Sequence, residues 1–218
     1  MRARVTNIIK ETAQISSFRL ERQLWSYSAG QWMYVRLSPD LKHHFTISSS
    51  PTEDFLQFTT MFRPESGFKQ ALFKLKVGDS VDVAGPFGSF ALDGEDKTSQ
   101  LFIAGGIGIT PFRSMLKYNQ DKGLDLPLKL LYSVKNKSEG AFINQLEAIV
   151  VETETQGRLD EAKVNTLVPD WSNRTWWLCG PPAMVESLVE LAQKMGVATD
   201  KIKSEEFTGY EKWQFCRQ

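Results

Sequence analysis

Cysteine and histidine are scarce in this chain, two of each among 218 residues. Two cysteines, Cys179 and Cys216, cannot build a disulfide framework or carry an iron–sulfur cluster, which takes about four thiolates. His43 and His44 stand side by side, a poor start for a zinc centre, so no metal site is expected. Any redox metal then sits on another molecule. Net charge is also missing: 26 basic residues balance 26 acidic ones, which removes the electrostatic footprint of a nucleic-acid binder. No apolar run reaches membrane-span length. The opening MRARVTNIIKETAQ lacks an apolar core ending in a small-residue cleavage site. Together these absences set the expectation of a cytoplasmic protein.

What is present is ordinary in amount and unusual in order. Hydrophobic residues make up 41% and charged residues 24%, enough for one large core or two small ones. The most informative stretch is Leu101–Pro111, LFIAGGIGITP. Leu101–Ala104 has the length of a buried strand. Gly105, Gly106 and Gly108 follow, with Thr110 placed as N-cap and Pro111 as the first residue of a helix. Such a glycine turn before a helix lets backbone N–H groups approach a phosphate. It serves equally as a tight turn that needs glycine for positive φ. It is not G-x-G-x-x-G, and so by itself does not identify a ligand.

From Arg2 to about Ala91 the chain reads as six short strands: Arg4–Ile9, Ile15–Arg22, Trp32–Leu37, Phe45–Ser48, Phe55–Phe62 and Ser80–Ala84. A helix at Phe68–Leu75 interrupts them. This spacing predicts an antiparallel barrel or sandwich. Within it, HHFTISSSP (His43–Pro51) sets an aromatic beside several hydroxyls. That suits a flat heteroaromatic ligand, or simply a half-buried strand entering a serine-rich turn.

After the polar stretch Asp93–Ser99, strands alternate with helices: Leu101–Ala104, Leu128–Tyr132, Val150–Glu154, Thr175–Leu178 and Ile202–Phe207, with helices Pro111–Gln120, Ala141–Ala148, Asp160–Leu167 and Ala183–Met195. That alternation predicts a doubly wound parallel sheet. The segment Phe142–Arg158 is short for both a full helix and a third strand, so this part of the sheet is expected to be trimmed or irregular. Ligands of such sheets sit at the carboxyl ends of strands, where both the glycine turn and Cys179–Pro182 fall.

The motifs HHFTISSSP, GPFGSF (Gly85–Phe90), GGIGITP, CGPP and EEF, in this order, resemble the ferredoxin–NADP reductase family. The first is similar to the His-x-Phe-Thr variant of ferric reductases and NADPH oxidases. The resemblance implies an antiparallel six-stranded FAD-binding β-barrel (residues 1–96) followed by a parallel α/β NAD(P)-binding domain (97–218). It implies FAD rather than FMN, and NADH or NADPH as hydride donor. Phe45 would stack on the isoalloxazine, Thr46 would hydrogen-bond near flavin N5, and His43 would replace an arginine near the pyrophosphate, with Ile47 and Ser48 completing the strand. Gly67, Phe68, Lys69 and Gln70 match a Gly-x-x-Ser phosphate contact in which Gln70 replaces the hydroxyl. Gly105, Gly106, Gly108, Thr110 and Pro111 would hold the nicotinamide nucleotide. Ser133 and Lys135, with Lys137, would face a 2′-phosphate if one is present. Cys179 would lie beside nicotinamide C4, supported by Gly180, Pro181, Pro182 and Met184. Phe207 or Tyr210 would cover the other flavin face. The implied activity passes electrons from a nicotinamide through flavin to a one-electron acceptor protein or membrane redox partner, the latter placing the chain at a membrane's inner face. A reductase of free flavin and a non-catalytic nucleotide sensor are the two alternatives.

Overall fold

The computed structural model describes residues 1–22 and 26–208. The first half forms β1 (Arg2–Lys10), β2 (Ile15–Glu21), β3 (Trp32–Ser38), β4 (Leu41–Thr46), β5 (Phe55–Met61) and β6 (Ser80–Phe87). They make one antiparallel sheet in the order β4-β3-β6-β1-β2-β5. Alternate residues point inward, and Ala3, Val5, Phe18, Leu20, Met33, Val35, Phe58, Val81 and Val83 close the barrel core. The two ends of the order, β4 and β5, meet where the chain leaving β4 crosses over. There the Ser48 N–H donates to the Gln57 carbonyl at 2.7 Å. Helix α1 (Gly67–Leu72), capped by the Ser66 hydroxyl accepting from the Lys69 N–H, sinks Phe68 and Leu72 into the same core.

The second half is a five-stranded parallel sheet of β7 (Gln100–Gly105), β8 (Leu128–Val134), β9 (Ile149–Glu152), β10 (Thr175–Gly180) and β11 (Ile202–Glu206), in the order β11-β10-β7-β8-β9. β7 is buried along its whole length, as a central strand covered on both faces must be. Helix α2 (Ile109–Lys122) lies on one face, where its Ile109, Phe112 and Met115 join a core that also takes in Ile15, Ala29, Phe90 and Leu92 of the first half. Two further helices, α3 (Thr153–Gln156) and α4 (Glu161–Leu167), lead back to the sheet. Then α5 (Pro182–Lys194) covers the opposite face through Val185, Leu188 and Ala192.

Three sequence expectations change. β4 begins earlier and ends sooner than Phe45–Ser48, because the hairpin after Ser38 pairs Lys42, His43 and His44 with β3 regardless of their weak strand preference. No helix forms at Ala141–Ala148: Phe142 has φ +62, outside the helical region. Its ring and Ala141 are instead drawn into the core. The expected irregularity of this stretch is therefore real. Thr110 is not an N-cap, because a 3-10 turn at Gly106–Gly108 runs straight into α2. Thr110 falls inside the first turn, its hydroxyl donating back to the Ile107 carbonyl at 3.1 Å, and Pro111 follows one residue further in.

Candidate functional site

The carboxyl ends of β7 and β10 meet backbone to backbone. A Cβ on Gly108 would stand 2.3 Å from the Cys179 carbonyl oxygen and 2.7 Å from the Gly180 nitrogen. One on Gly105 would lie 2.1 Å from Met184 Sδ and 3.2 Å from Pro181 Cδ. Gly180 in turn approaches Gly105 closely. Met184 and Pro181 therefore pack the turn from below, and Pro182 starts α5. Gly106 differs from these: it has φ +51, and no described atom lies within 4 Å of where its Cβ would be. The turn is thus tightly seated below and open above. That is the shape a phosphate cradle requires.

Cys179 is fully buried at the β10 tip, and burial pushes its thiol well above its ordinary range, with the neighbouring Glu205 adding to the rise. It is a thiol at neutral pH, which fits packing and positioning better than nucleophilic attack. Its partner in the β10–β11 register is Glu205. Burial pushes the Glu205 carboxyl up to about 7, and its Oε2 has no hydrogen-bond partner among the described residues. The EEF motif by itself assigns Glu205 no role. The signal available was alternation along β11, which turns Glu205 to one side and Ser204 and Glu206 to the other. Phe207 follows, its N–H donating to the Gly180 carbonyl at 2.9 Å and its ring packed on the core that holds Cys179. Tyr210 lies outside the described residues.

Ser133 is buried directly beside Gly105 in the parallel register. Lys135 and Lys137 beyond it face Glu139 and Glu152 at 3.8 Å, so their charge is already partly answered.

At the barrel's open edge the rings form a stack. Phe45 lies between His43 (centroids 4.6 Å, 19° between planes) and Phe58 (4.7 Å, 27°), with Phe68 at 5.8 Å. The Lys69 amine sits 4.3 Å from the Phe45 centroid and donates to the Thr60 hydroxyl. Burial, then the Arg63 charge, lower the Lys69 ammonium to about 7. Burial likewise drives His43 down to about 3, helped by Lys69, so it is a neutral ring at physiological pH. A flat ligand stacking on Phe45 takes the place His43 occupies in this conformation. Gly67 faces open space, with no described atom within 4 Å, whereas Gln70 turns its amide to the Pro64 carbonyl. Aromatic surface, a buried lysine amine and an open glycine together fit a planar anionic ligand such as a flavin nucleotide.

Past Thr46, itself buried and paired across from Trp32, the hydroxyl row is committed internally. Ser48 bonds to Gln57 O and Thr59, and Ser49 accepts from Gln57 N and contacts the Tyr27 hydroxyl. Ser50 contacts Thr52. Ile47 points into the barrel core. Of the hydroxyls in this segment, among the described residues that of Thr46 remains for a ligand edge.

A six-stranded antiparallel barrel edge facing the glycine tips of a five-stranded parallel sheet defines the ferredoxin–NADP reductase-like class, and the chain has that fold. No protein-family model matches it. Its curated relatives include an NADPH oxidoreductase of Mycobacterium tuberculosis, 27% identical over 95% of this chain and 60% of that protein. Others are the reductase component of the naphthalene 1,2-dioxygenase/salicylate 5-hydroxylase systems of a Ralstonia species (26%; 93% and 67%) and the flavohemoprotein of Bacillus subtilis (24%; 91% and 57%). The chain thus spans about three fifths of the length of such relatives. Among solved structures, phthalate dioxygenase reductase superposes with a TM-score of 0.83 at 20% identity, covering 96% of this chain and 68% of that one. A ferredoxin NADP+ reductase of Neisseria gonorrhoeae with bound FAD and NADP gives 0.80 at 17% identity, over 94% and 98%. These relatives carry the wider likeness and do not bear on the ferric-reductase variant of the flavin motif.

Proposed function

We propose that this chain is an FAD-dependent NAD(P)H oxidoreductase, with residues 1–96 holding the flavin and 97–218 the nicotinamide nucleotide. The observation that supports the reading is that the end of β4 is tied to the glycine turn: α2, which follows the Gly106–Gly108 turn, bonds to the Ser48 and Ser49 carbonyls just after Thr46. The flavin is assigned to the Phe45–Thr46 barrel edge and the nicotinamide to the cradle of Gly106, Gly108, Cys179 and Phe207. When bound, FAD accepts hydride from a nicotinamide and releases its electrons singly, chemistry that belongs to the cofactors. The protein's share is placement. Thr46 holds the reacting edge of the flavin, Phe45 supports its plane, and Lys69 supplies a cation. The Gly106 turn receives the pyrophosphate, Cys179 fixes the nicotinamide from the β10 tip, and Phe207 covers the flavin's far face.

The acceptor is a one-electron carrier on another protein, by analogy with the oxygenase-system reductases above. A reductase that exchanges free flavin is the second reading. It is favoured by the neutral His43, which stands where the family pattern has an arginine, and by the engaged Gln70 amide. The test is whether purified protein is yellow and is bleached by NADH or NADPH without oxygen. Colour with bleaching supports the first reading. A colourless protein that turns over added flavin supports the second, and a protein that does neither overturns both.

A further inference from the structure

Arg113 is almost completely buried, 6% exposed, on the second turn of α2. Its guanidinium grips the other half of the molecule. Nη1 donates to the Ser48 carbonyl at 3.0 Å and to Glu53 Oε2, and Nη2 donates to Glu53 Oε1 at 2.8 Å. The same Glu53 carboxylate accepts the Ser50 N–H at 2.6 Å. The next residue, Ser114, donates its hydroxyl to the Ser49 carbonyl at 2.6 Å. One turn pair later, Asp121 accepts from Thr52. Consecutive α2 side chains therefore hold consecutive carbonyls of the segment that leaves β4.

A buried ion pair is costly to desolvate and is weak evidence for stability. What this one does well is fix geometry, because a bidentate fork accepts little rotation or sliding. The two things it joins are informative. Upstream of Arg113, α2 begins at the Gly106–Gly108 turn, which touches Cys179. Upstream of Ser48, two residues away, is Thr46.

We infer that Arg113, with Glu53 and Ser114, is a latch that sets the distance and angle between the Thr46 edge and the Gly106–Cys179 cradle, and so is a positioning residue for hydride transfer between the rings. The inference rests on the proposed function for its catalytic consequence, while the latch itself does not. Displacement of reacting groups by about 1 Å can cost on the order of 10²-fold in rate. Removing the fork therefore slows transfer without removing any atom that touches either ring.

The experiment compares wild type with Arg113→Met, Arg113→Lys and Glu53→Gln. Flavin reduction is followed at saturating nicotinamide by anaerobic stopped flow, and both dissociation constants are measured. The apo proteins are compared by amide hydrogen exchange. Expected for Arg113→Met is at least a 10-fold slower reduction with both dissociation constants within about 2-fold of wild type, and faster exchange across residues 47–53. Arg113→Lys recovers part of the rate, since an ammonium reaches one of the two acceptors, and Glu53→Gln, the milder change, falls between. An unchanged reduction rate, or a slowing explained wholly by lost cofactor affinity, overturns the positioning role. Should wild type itself show no reduction, the proposed function fails. Exchange across 47–53 then still decides the latch: unchanged protection in both Arg113→Met and Glu53→Gln overturns it.

Discussion

Glu205 offers the sharpest quantitative test of the site's electrostatics. Its carboxyl is held at about 7 against an ordinary 4.5, with burial as the cause. A folded-state value above the unfolded one means the native protein binds this proton more tightly than the unfolded chain. The contribution to stability is therefore complete below about pH 4.5 and is lost as pH rises through about 7. At about 1.4 kcal/mol per pKa unit, the shift costs the native state about 3 kcal/mol above pH 8. For a chain of this size that corresponds to about 6–12 °C in Tm. Glu205→Gln removes the titration and keeps the shape. The unpartnered glutamine amide has its own cost, but that cost does not change with pH and cancels when two pH values are compared. Urea unfolding of both proteins at pH 5 and pH 8 gives the difference directly. Wild type should lose about 2–3 kcal/mol more than Glu205→Gln over this interval, while the contributions of His43 and Lys69 are common to both. Parallel pH profiles would refute the burial argument, and with it the claim that the Glu205 carboxyl beside Cys179 titrates near neutral pH.

The two turn glycines separate packing from ligand approach. Gly108→Ala drives a methyl into the Cys179 main chain, which cannot yield, so it should cost at least about 2 kcal/mol by thermal unfolding. Gly106→Ala meets no neighbour and costs only about 1 kcal/mol for its left-handed backbone, yet its methyl enters the cradle. Nicotinamide affinity measured by titration should drop at least 10-fold with the fold intact. Lys69, depressed to about 7 from 10.5, destabilises the native state when charged, so its penalty is full below pH 7 and relieved as pH rises toward 10.5. Lys69→Met should therefore flatten the pH–stability profile between those values while weakening flavin binding; a profile identical to wild type would contradict it. Cys179, buried and with a raised thiol, should resist iodoacetamide at pH 8 in the native protein and be alkylated on unfolding, read by peptide mass spectrometry.

Much of this fold was legible because burial leaves a periodic imprint. β7 and β10 read as continuous apolar runs, and both proved to be central strands of the parallel sheet. The glycine turn and the CGPP segment read as strand ends, and both lie at carboxyl tips. Where reading failed, long-range contacts decided the outcome. Nothing local to Ala141–Ala148 shows that the Phe142 ring is needed in a core shared with Ile15 and Phe90, at the expense of a helical φ. The serines after Thr46 looked free to serve a ligand, and no local signal reveals that Gln57 and Thr59 engage them from another strand. Arg113 and Glu53 are 60 residues apart. Each alone is an unremarkable charged residue, and only the folded chain makes them a pair.

The seam also divides into parts that can yield and parts that cannot. Contacts between the halves run from buried α2 side chains to main chain: Arg113 and Ser114 donate to the Ser48 and Ser49 carbonyls. Within the second half the contacts are backbone to backbone, Gly108 lying against Cys179 and Gly180 and the Phe207 N–H bonded to the Gly180 carbonyl. Contacts that fill the proposed ring site are side chains, His43 on Phe45 and Lys69 above it. Side chains change rotamer at small cost, whereas shifting a backbone pair breaks ladder hydrogen bonds and core packing together. A flat ligand can therefore enter by displacing one imidazole, while the spacing between Thr46 and Cys179 stays where the buried Arg113 and Ser114 contacts hold it. Binding and alignment are thereby assigned to different atoms, so substitutions that weaken one need not disturb the other.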